Sequence, residues 1–310
     1  MRAVGIILAG GNNNRMKELT HKRAVAAMPI AGSYRSIDFA LSNMTNSHIQ
    51  KVAVLTQYNA RSLNEHLNSS KWWNFGRKQG GLYVFTPTIT NDNGYWYRGT
   101  ADAIYQNMDF LKKSHEPYVV IASGDAVYKM DYSKVLQYHI DKKADVTVVC
   151  KEMDPSDDVS RFGTIRMDDD MRITEFEEKP MVTKSNMIST GIYVIRRRLL
   201  IDLIEHAAEE ERFDFVNDVL IRYKNLKKIY GYKIDHYWSN IATVDSYYKT
   251  NMDFLKPEVR NYFFKQDPEI YSKVSDLPPA KYNPGASVKN SLVGSGSIIN
   301  GTVENSVIFK

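Results

Sequence analysis

The first two-thirds of the chain alternates two hydrophobic patterns. Short runs rich in Val and Ile, with few polar interruptions, are typical of strands buried on both faces of a sheet. Between them lie longer stretches whose apolar residues recur at helical spacing. Strands that alternate with helices predict an α/β fold, with a mostly parallel sheet and right-handed crossovers. The predicted strands are Val4–Leu8, Lys51–Thr56, Leu82–Thr86, Tyr118–Ala122, Asp145–Cys150, Gly163–Met167, Ile173–Glu177, Ser189–Ile195 and Ile229–Ile234, and the predicted helices are Ser36–Ser47, Ala60–His66, Ala101–Lys113, Ser133–Lys143 and Leu199–Glu209.

The pattern changes after about Leu255. Lys256–Ser275 favours helix or irregular structure, and the three prolines of Leu277–Pro284 indicate a linker. Beyond it, Val or Ile recurs every five residues among Gly and Asn, which suggests coils of a β-helix. Isolated hairpins are the alternative, although a hairpin needs something to pack on. The recurring residues are Val288, Val293, Ile298, Val303 and Ile308.

These patterns predict three units along the chain. The first is an α/β domain over residues 1–255, and the second is a linker over residues 256–284. The third, residues 285–310, is the start of a β-helix that we expect to continue in a longer native chain.

Composition fits a globular protein with a full hydrophobic core. The chain has 310 residues, of which 43% are apolar. Its net charge of +5 arises from 41 basic and 36 acidic residues without a long basic block, so it is compatible with phosphate-bearing small molecules and does not favour nucleic acid. The aromatic segments at Lys71–Gly76 and Tyr95–Tyr97 lack the interleaved basic residues of a nucleic-acid groove, and we expect them at an active-site rim or a subunit contact.

Cysteine use and hydropathy bear on location. The single Cys150 excludes an intramolecular disulfide, and we interpret it as a core thiol in a protein of the reducing cytoplasm. The apolar stretch Val4–Ala9 is too short for a signal peptide or a membrane span. We therefore predict a cytoplasmic protein without a membrane partner.

The first segment with candidate chemistry is Leu8–Met16, directly after a predicted strand. Its Gly and Asn residues can point successive backbone N–H groups into a nest for phosphate, and Arg15 adds a charged donor. The spacing matches neither the P-loop nor the dinucleotide fingerprint. An ordinary strand–helix turn is the alternative.

A second segment, Ser123–Asp125, follows the predicted strand Tyr118–Ala122. Ligands of α/β sheets bind beyond the carboxyl ends of the strands, and Mg²⁺ takes one or two carboxylates together with substrate phosphates. Asp125 is thus a candidate metal ligand, with an Asx turn or a helix cap as the alternative.

Two further segments complete the set. In Glu177–Pro180 the proline can aim Lys179 at a sugar phosphate, although a surface ion pair is the commoner role. In Arg98–Ala103 a glycine at position 99 permits close approach to a ligand, and Thr100 can cap a helix that begins at the next residue. A capped helix without a ligand is the alternative there.

In their combination and their order along the chain, the four segments closely resemble bacterial ADP-glucose pyrophosphorylases, which are the glucose-1-phosphate adenylyltransferases of glycogen synthesis. The resemblance includes Arg35–Asn46, Leu55–Tyr58, Arg161–Gly163 and Thr190–Tyr193. It runs from Val4 to about Leu255 and then into the family's left-handed parallel β-helix. It implies a Rossmann-like nucleotidyltransferase domain, with a mixed, mostly parallel sheet, in a tetrameric assembly.

The resemblance also implies a reaction, in which ATP and glucose 1-phosphate give ADP-glucose and pyrophosphate. The sugar phosphate oxygen attacks the α-phosphorus in line, so catalysis rests on positioning and on neutralising phosphate charge. The residues implied as catalytic are Arg15, Asp125 and Lys179. The implied contacts are Gly10, Gly11 and Arg15 to the triphosphate, Gln57, Gly99 and Thr100 near the adenine, Asp125 to Mg²⁺, and Gly163, Glu178, Lys179 and Thr190 to the glucose phosphate.

Three departures from the family pattern fall where the chemistry is expected. Asn13 replaces the third glycine of the loop G-G-x-G-(T/S)-R, where its side chain would crowd a phosphate. Val25 replaces the lysine of R-A-K-P-A-V-P, and loss of one such charge stabiliser typically costs about 10²–10³ in rate. Asn240 replaces the aspartate of W-R-D-V-G-T that would share Mg²⁺ with Asp125, and Ser239 replaces the neighbouring arginine.

Three hypotheses follow. The degenerate site resembles GlgD-type subunits, which are non-catalytic or regulatory partners of an active subunit in a hetero-oligomer. Such a subunit would still bind sugar-phosphate-like ligands. The second hypothesis is a competent enzyme in which Asn240 and a substitute cation suffice, and the third is a nucleotidyltransferase for another sugar or base.

Overall fold

The structure is a computed structural model that describes residues 2–11, 14–76, 80–88 and 94–309. The described strands are β1 (Ala3–Leu8), β2 (Pro29–Ile30), β3 (Tyr34–Arg35), β4 (Lys51–Leu55), β5 (Gly81–Phe85), β6 (Tyr118–Ser123), β7 (Ala126–Tyr128), β8 (Val146–Glu152), β9 (Gly163–Met167), β10 (Ile173–Glu178), β11 (Met187–Arg196), β12 (Ile229–Ile234), β13 (Trp238–Asn240), β14 (Lys281–Tyr282), β15 (Ser287–Lys289), β16 (Leu292–Val293), β17 (Ile298–Ile299), β18 (Thr302–Glu304) and β19 (Val307–Ile308). The α-helices are α1 (Ser36–Asn46), α2 (Arg61–Leu67), α3 (Thr100–Gln106), α4 (Met108–Lys112), α5 (Tyr132–Asp141), α6 (Arg197–Glu209), α7 (Val244–Asp253) and α8 (Pro257–Phe264), and Phe215–Ile221 is π-helical.

Nine strands form one central sheet. Its main path is β10-β9-β11-β6-β1-β4-β5, and β8 and β12 extend it from the side of β11. β1 is parallel to β4 and β6, whereas β11 is antiparallel to β6, β8 and β9. Because only β11 and β10 run against the other strands of this sheet, it is mixed and mostly parallel. This confirms the predicted fold class of the domain.

The nine predicted strands are all present, with ends shifted by at most two residues. The single helix predicted over residues 101–113 is wrong, because the chain breaks it into α3 and α4 at Asn107. The Asn107 amide donates to the carbonyl of Ala103 at 2.8 Å and to the Tyr97 hydroxyl at 2.9 Å. Such side-chain bonding to the backbone competes with regular helix. Helix α7 and the π-helical segment had no counterpart in the prediction.

Apolar clusters cover both faces of the sheet. Successive residues of β1 alternate between them, so Ile7 joins one cluster and Ile6 the other. Cys150 is fully buried in the second, and burial raises the pKa of its thiol to about 12, which confirms a core thiol. A third cluster holds Val25 beside Phe263 of helix α8. The described part of the chain contains no helix that is long and apolar enough to span a membrane.

After residue 280 the chain makes two successive passes of three short strands each. Strands β14, β15 and β16 pair in parallel, in order, with β17, β18 and β19. The predicted five-residue spacing places Val288 opposite Val303 and Val293 opposite Ile308. The Asn290 amide also donates to Asn305 Oδ1 at 2.7 Å. The three strands of the second pass thus lie beside the corresponding strands of the first.

One buried histidine makes stability depend on pH. His139 of α5 is 1% exposed, and burial, followed by the charge of Arg196, lowers the pKa of its imidazole to about 4. In the unfolded chain the group takes its proton near pH 6.5, so native stability falls as the pH drops from about 6.5 towards 4. Between pH 7 and pH 5 the expected loss from this group is about 2 kcal/mol.

The measurement is urea unfolding of the wild type and of His139→Gln at pH 7 and pH 5. Glutamine can keep a hydrogen bond to Thr147, whose Oγ1 lies 2.8 Å from His139 Nδ1, but it does not titrate. The variant is therefore expected to lose about 2 kcal/mol less than the wild type over this range. His115→Gln, at an exposed position, is the control. An equal pH dependence in the wild type and His139→Gln would refute the expectation.

Candidate functional site

A cavity of about 450 Å³ opens beyond the carboxyl ends of β1, β4 and β6. These three strands are parallel neighbours, so the loops that follow them meet at one edge of the sheet. The structure thus brings together predicted site residues that are widely separated in sequence. The described lining residues are Leu8, Ala9, Gly10, Gly11, Val25, Ala26, Leu55, Gln57, Tyr58, Tyr97, Arg98, Gly99, Thr100, Ala103, Ser123, Asp125, Gly191, Tyr193, Phe215 and Val216.

The loop after β1 is anchored by its neighbours on both sides. The Ala9 N–H donates to the carbonyl of Leu55 at 2.8 Å, and the Gly124 N–H donates to that of Leu8 at 2.9 Å. A Cβ on Gly11 would have no atom within 4 Å, so the backbone there faces open space. Ligand access to this part of the loop is therefore unobstructed. Asn13, the first degenerate position, lies outside the described residues.

Asp125 lines the cavity beside strand β13. Its Oδ1 accepts a hydrogen bond from Ser123 Oγ at 2.5 Å, and its carbonyl accepts one from the Ile241 N–H at 3.0 Å. Asn240 pairs with Ala126, the residue after Asp125, in the β7–β13 ladder. Its Oδ1 accepts a hydrogen bond from the Ala242 N–H at 3.0 Å. The two positions that the resemblance pairs are therefore close, but the Asn240 oxygen is bonded within its own turn.

Val25 forms part of the apolar wall. Its side chain is 7% exposed and lines the cavity from a short 3-10 turn at Val25–Ala27. Behind the cavity it belongs to a cluster with Met16 and Met28. A position where the resemblance expects a cation is thus occupied by a small apolar group.

Gln57, which also lines the cavity, anchors an aromatic segment. Its Oε1 accepts a hydrogen bond from the Tyr97 N–H at 2.9 Å, and its Nε2 donates to the Tyr97 carbonyl at 3.3 Å. The neighbouring Tyr58 and Trp96 stack with ring centroids 5.7 Å apart, and both are exposed. Of residues 95–97, Tyr95 and Trp96 are exposed, whereas Tyr97 is buried and lines the cavity. Both polar atoms of the Gln57 amide therefore already have hydrogen-bond partners.

Gly99 and Thr100 line the cavity, but their polar contacts are with the protein. A Cβ on Gly99 would lie 2.3 Å from the carbonyl oxygen of Phe213, which accepts a hydrogen bond from the Ala101 N–H. A glycine is therefore required at position 99 because the backbone of Phe213, and not a ligand, lies against it. The prediction that Thr100 caps a helix beginning at Ala101 is wrong. Helix α3 begins at Thr100, whose Oγ1 accepts from the Phe215 N–H at the start of the π-helical segment.

The predicted sugar-phosphate residues lie outside the described lining of this cavity. Gly163 and Glu178 are cross-strand partners in β9 and β10. Lys179 Nζ lies 2.9 Å from Glu178 Oε1, and the lysine side chain is 60% exposed. Thr190 is buried and donates to the Val149 carbonyl at 2.9 Å, whereas the adjacent Gly191 does line the cavity.

A second cleft of about 720 Å³ lies beside the cavity. Arg15, Arg161 and Asn240 line it, together with Lys151 and several carboxylates. Burial lowers the pKa of the Arg161 guanidinium, and the nearby Asp158 carboxylate opposes that shift. Arg161 Nη1 donates to Thr243 Oγ1 at 3.2 Å. The Arg15 and Asp125 charges also act on the Arg161 guanidinium, so this cleft and the cavity lie within electrostatic range of each other.

Some lining residues carried no signal in the sequence. Phe215 and Val216 reach the cavity from the π-helical segment, more than a hundred residues after Gly99. Tyr193 does belong to a segment that carries the resemblance, and its ring packs edge-on against Phe215 at 5.4 Å. The sequence therefore gave a signal for Tyr193, but none for Phe215 or Val216.

Comparisons with known proteins agree with this architecture. The sequence profile described as nucleotidyl transferase matches residues 4–257. A glucose-1-phosphate adenylyltransferase of Clostridium novyi (strain NT) is 40% identical over 309 residues, which are 99% of this chain and 81% of that protein. The protein of the same name from Bacillus anthracis is 41% identical over 312 residues, covering 100% of this chain and 83% of its own. A third, from Thermosipho melanesiensis, is 40% identical over 98% of this chain and 74% of its own length.

Proposed function

Because the chain belongs to the nucleotidyl transferase family and is about 40% identical to glucose-1-phosphate adenylyltransferases, we propose that it is a GlgD-type subunit of such an enzyme in glycogen synthesis, with a regulatory or weakly catalytic role. The observation that carries this proposal is the composition of one cavity. Gly10, Gly11 and Asp125, which the resemblance assigns to the triphosphate and Mg²⁺, line it together with Val25, an apolar side chain where the family pattern has lysine.

The ligands of the proposed subunit are those of the family. ATP would approach the loop at Gly10 and Gly11, and glucose 1-phosphate would be held from the side of Glu178 and Lys179. For Mg²⁺ the chain offers Asp125, since this ion binds through one or two carboxylates and takes its other ligands from phosphate and water. The described residues contain no group of three or more His, Cys, Asp or Glu side chains placed to hold a metal. Bound Mg²⁺ would supply positive charge beside the phosphates.

Reduced activity follows from the charges that are missing. Catalysis of adenylyl transfer depends on cations aimed at the phosphates, and removal of one such group typically costs about 10²–10³ in rate. Val25 carries no charge, and Asn240 has an amide oxygen that already accepts a hydrogen bond from the Ala242 N–H. Both changes act on the same phosphate-handling step.

A partner subunit would supply the activity. We propose that residues 285–310 begin a left-handed β-helix, because their short strands stack in parallel in two passes. In a cytoplasmic hetero-tetramer, this region and the α/β domain would contact the catalytic subunit.

One arrangement favours the alternative of a competent enzyme. Arg15 and Arg161 line the cleft next to Asn240, where a substitute cation would have to lie. An arginine there would replace the lost lysine charge only if it reached the phosphates from that cleft. The same experiment separates the two roles.

The experiment measures pyrophosphate release from ATP, glucose 1-phosphate and Mg²⁺. The chain is assayed alone, then mixed with a catalytic glucose-1-phosphate adenylyltransferase subunit, with that subunit alone as the reference. We expect at least about 10²-fold less activity from the chain alone than from the catalytic subunit, because the cation at position 25 and the carboxylate at position 240 are both absent. In the mixture we expect a change in the catalytic subunit's rate or substrate dependence. Comparable turnover by the chain alone would support the competent enzyme.

A further inference from the structure

One edge of the central sheet presents unpaired backbone groups. Strand β5 lies at the end of the sheet and is parallel to its neighbour β4. The Gly81 N–H donates to the Gln50 carbonyl at 2.8 Å, so the backbone groups of residues 81, 83 and 85 face β4. Those of Leu82 and Val84 point away from the sheet. Within the part of the chain that the structure describes, these outward N–H and C=O groups have no hydrogen-bond partner.

The other two edges of the sheet are protected in different ways. Outside β12, the Gly231 N–H donates to the Met171 carbonyl at 2.9 Å, so the turn between β9 and β10 covers that edge. Strand β10 carries Glu175 and Glu177, whose charges would repel those of a second copy. Strand β5 has the sequence GLYVF, with neither a charged residue nor a proline. It thus lacks the features that usually keep an edge strand from pairing with another chain.

The side chains of β5 suit a second copy of the same strand. Tyr83 is 40% exposed, and its ring packs edge-on against Phe110 with 5.4 Å between the ring centres. Leu82 and Val84 lie on the opposite face of the sheet, half-buried against the apolar cluster that contains Ile7. Because all side chains of this strand are uncharged, two copies of it can approach without electrostatic repulsion between them.

We propose that β5 pairs in antiparallel orientation with β5 of a second copy of this chain, so that the two Tyr83 residues face each other across a twofold axis. In this register Leu82 lies opposite the partner's Val84, and the pair exchanges two N–H···O=C bonds. The twofold axis repeats the exchange, so the outward backbone groups of both residues are used. A shift by one residue would oppose them to groups already bonded to β4, which fixes the register.

This interface goes beyond the proposed function, since it holds for a regulatory and for a catalytic subunit alike. It would join the central sheets of two chains into one continuous sheet. Five residues per copy bury less surface than the ~1,600 Å² of a standard stable interface, so we expect a dimer that dissociates on dilution.

Cysteine cross-linking of the full chain tests the register. Tyr83→Cys places two thiols opposite each other in a pair that exchanges no hydrogen bonds, where the Cα atoms lie about 4.5 Å apart and a disulfide can form. The one native cysteine, Cys150, is fully buried and does not compete. Leu82→Cys is the matched control, because it would face the partner's Val84. We expect Tyr83→Cys to form the covalent dimer at least tenfold faster than Leu82→Cys, and equal rates would overturn the proposal.

Analytical ultracentrifugation tests the hydrogen bonds across the axis. Val84→Pro deletes an outward N–H and leaves the bonds to β4 in place, because proline is tolerated on an edge strand where its nitrogen faces away from the sheet. Val84→Thr keeps both the N–H and the branched shape. We expect Val84→Pro to weaken self-association at least tenfold relative to the wild type and Val84→Thr, with the same circular dichroism spectrum for all three chains.

Other results would also overturn the proposal. A wild-type chain that is monomeric at about 1 mM has no such interface. A folded Val84→Pro chain that associates as tightly as the wild type places the contact elsewhere. If Val84→Pro blocks binding of a catalytic subunit but not self-association, the edge belongs to that subunit. None of these results changes the pyrophosphate release expected under the proposed function, which therefore stands or fails by its own assay.

Discussion

Restoring the two missing charges in one chain, by Val25→Lys and Asn240→Asp, is expected to raise pyrophosphate release from ATP and glucose 1-phosphate about 10²-fold. A single preorganised charge stabiliser is worth about 10²–10³ in rate. We take the lower figure, because Ser239 and Asn13 keep their departures from the family pattern.

The structure accommodates both substitutions. Val25 lines the cavity, so a lysine stem can stay against Met16 and Met28 while its ammonium group enters the open space. An aspartate at position 240 can still accept the hydrogen bond from the Ala242 N–H, which is 3.0 Å from the present oxygen. Both changes are therefore expected to leave the fold intact.

The comparison uses kcat at saturating substrates in the presence of Mg²⁺, together with a thermal unfolding midpoint for every variant. The control chain carries Val25→Met with Asn240→Asp, which restores one charge and matches lysine in length. It is expected to gain less than the double variant. A folded double variant with wild-type activity would show that these two positions do not limit the rate.

Removal of the Asp38 carboxylate is expected to destabilise the chain by about 3–5 kcal/mol, because its buried hydrogen-bond partners would be left unpaired. Asp38 is fully buried in α1. One oxygen accepts hydrogen bonds from the Arg35 N–H at 2.8 Å and from Ser272 Oγ at 2.6 Å, and the other lies 2.6 Å from His66 Nε2. This carboxylate thus connects α1 and α2 with the segment that leads to the C-terminal strands.

Urea unfolding of Asp38→Ala against the wild type measures the effect, and limited proteolysis near residue 272 shows whether that segment detaches. Ser272→Ala removes one partner and leaves the carboxylate in place, so its expected cost is only about 1 kcal/mol. Similar losses for the two variants would contradict a shared role for the Asp38 carboxylate.

The sequence was most informative where a pattern follows local geometry. Apolar runs located all nine strands of the central sheet, and in its centre, as in β6, the run is unbroken because a strand covered on both faces needs apolar residues throughout. It was less informative where long-range contacts decide, as at Asn107, whose amide ends α3 by bonding Ala103 and Tyr97. The reason for Gly99 was equally hidden, since the carbonyl that excludes a Cβ belongs to Phe213.

The chain by itself determined its family, its α/β sheet and the order of the segments that supply the cavity. These features depend on the spacing of hydrophobic residues and on which residue types are neighbours in the sequence. Only the tertiary structure decided that Asp125 lines the cavity, that Arg15 and Arg161 line a cleft within electrostatic range of it, and that the Gln57 amide is already bonded to Tyr97. Whether a charge or an amide faces a ligand depends on which distant segments pack beside it, and that information is absent from any local pattern.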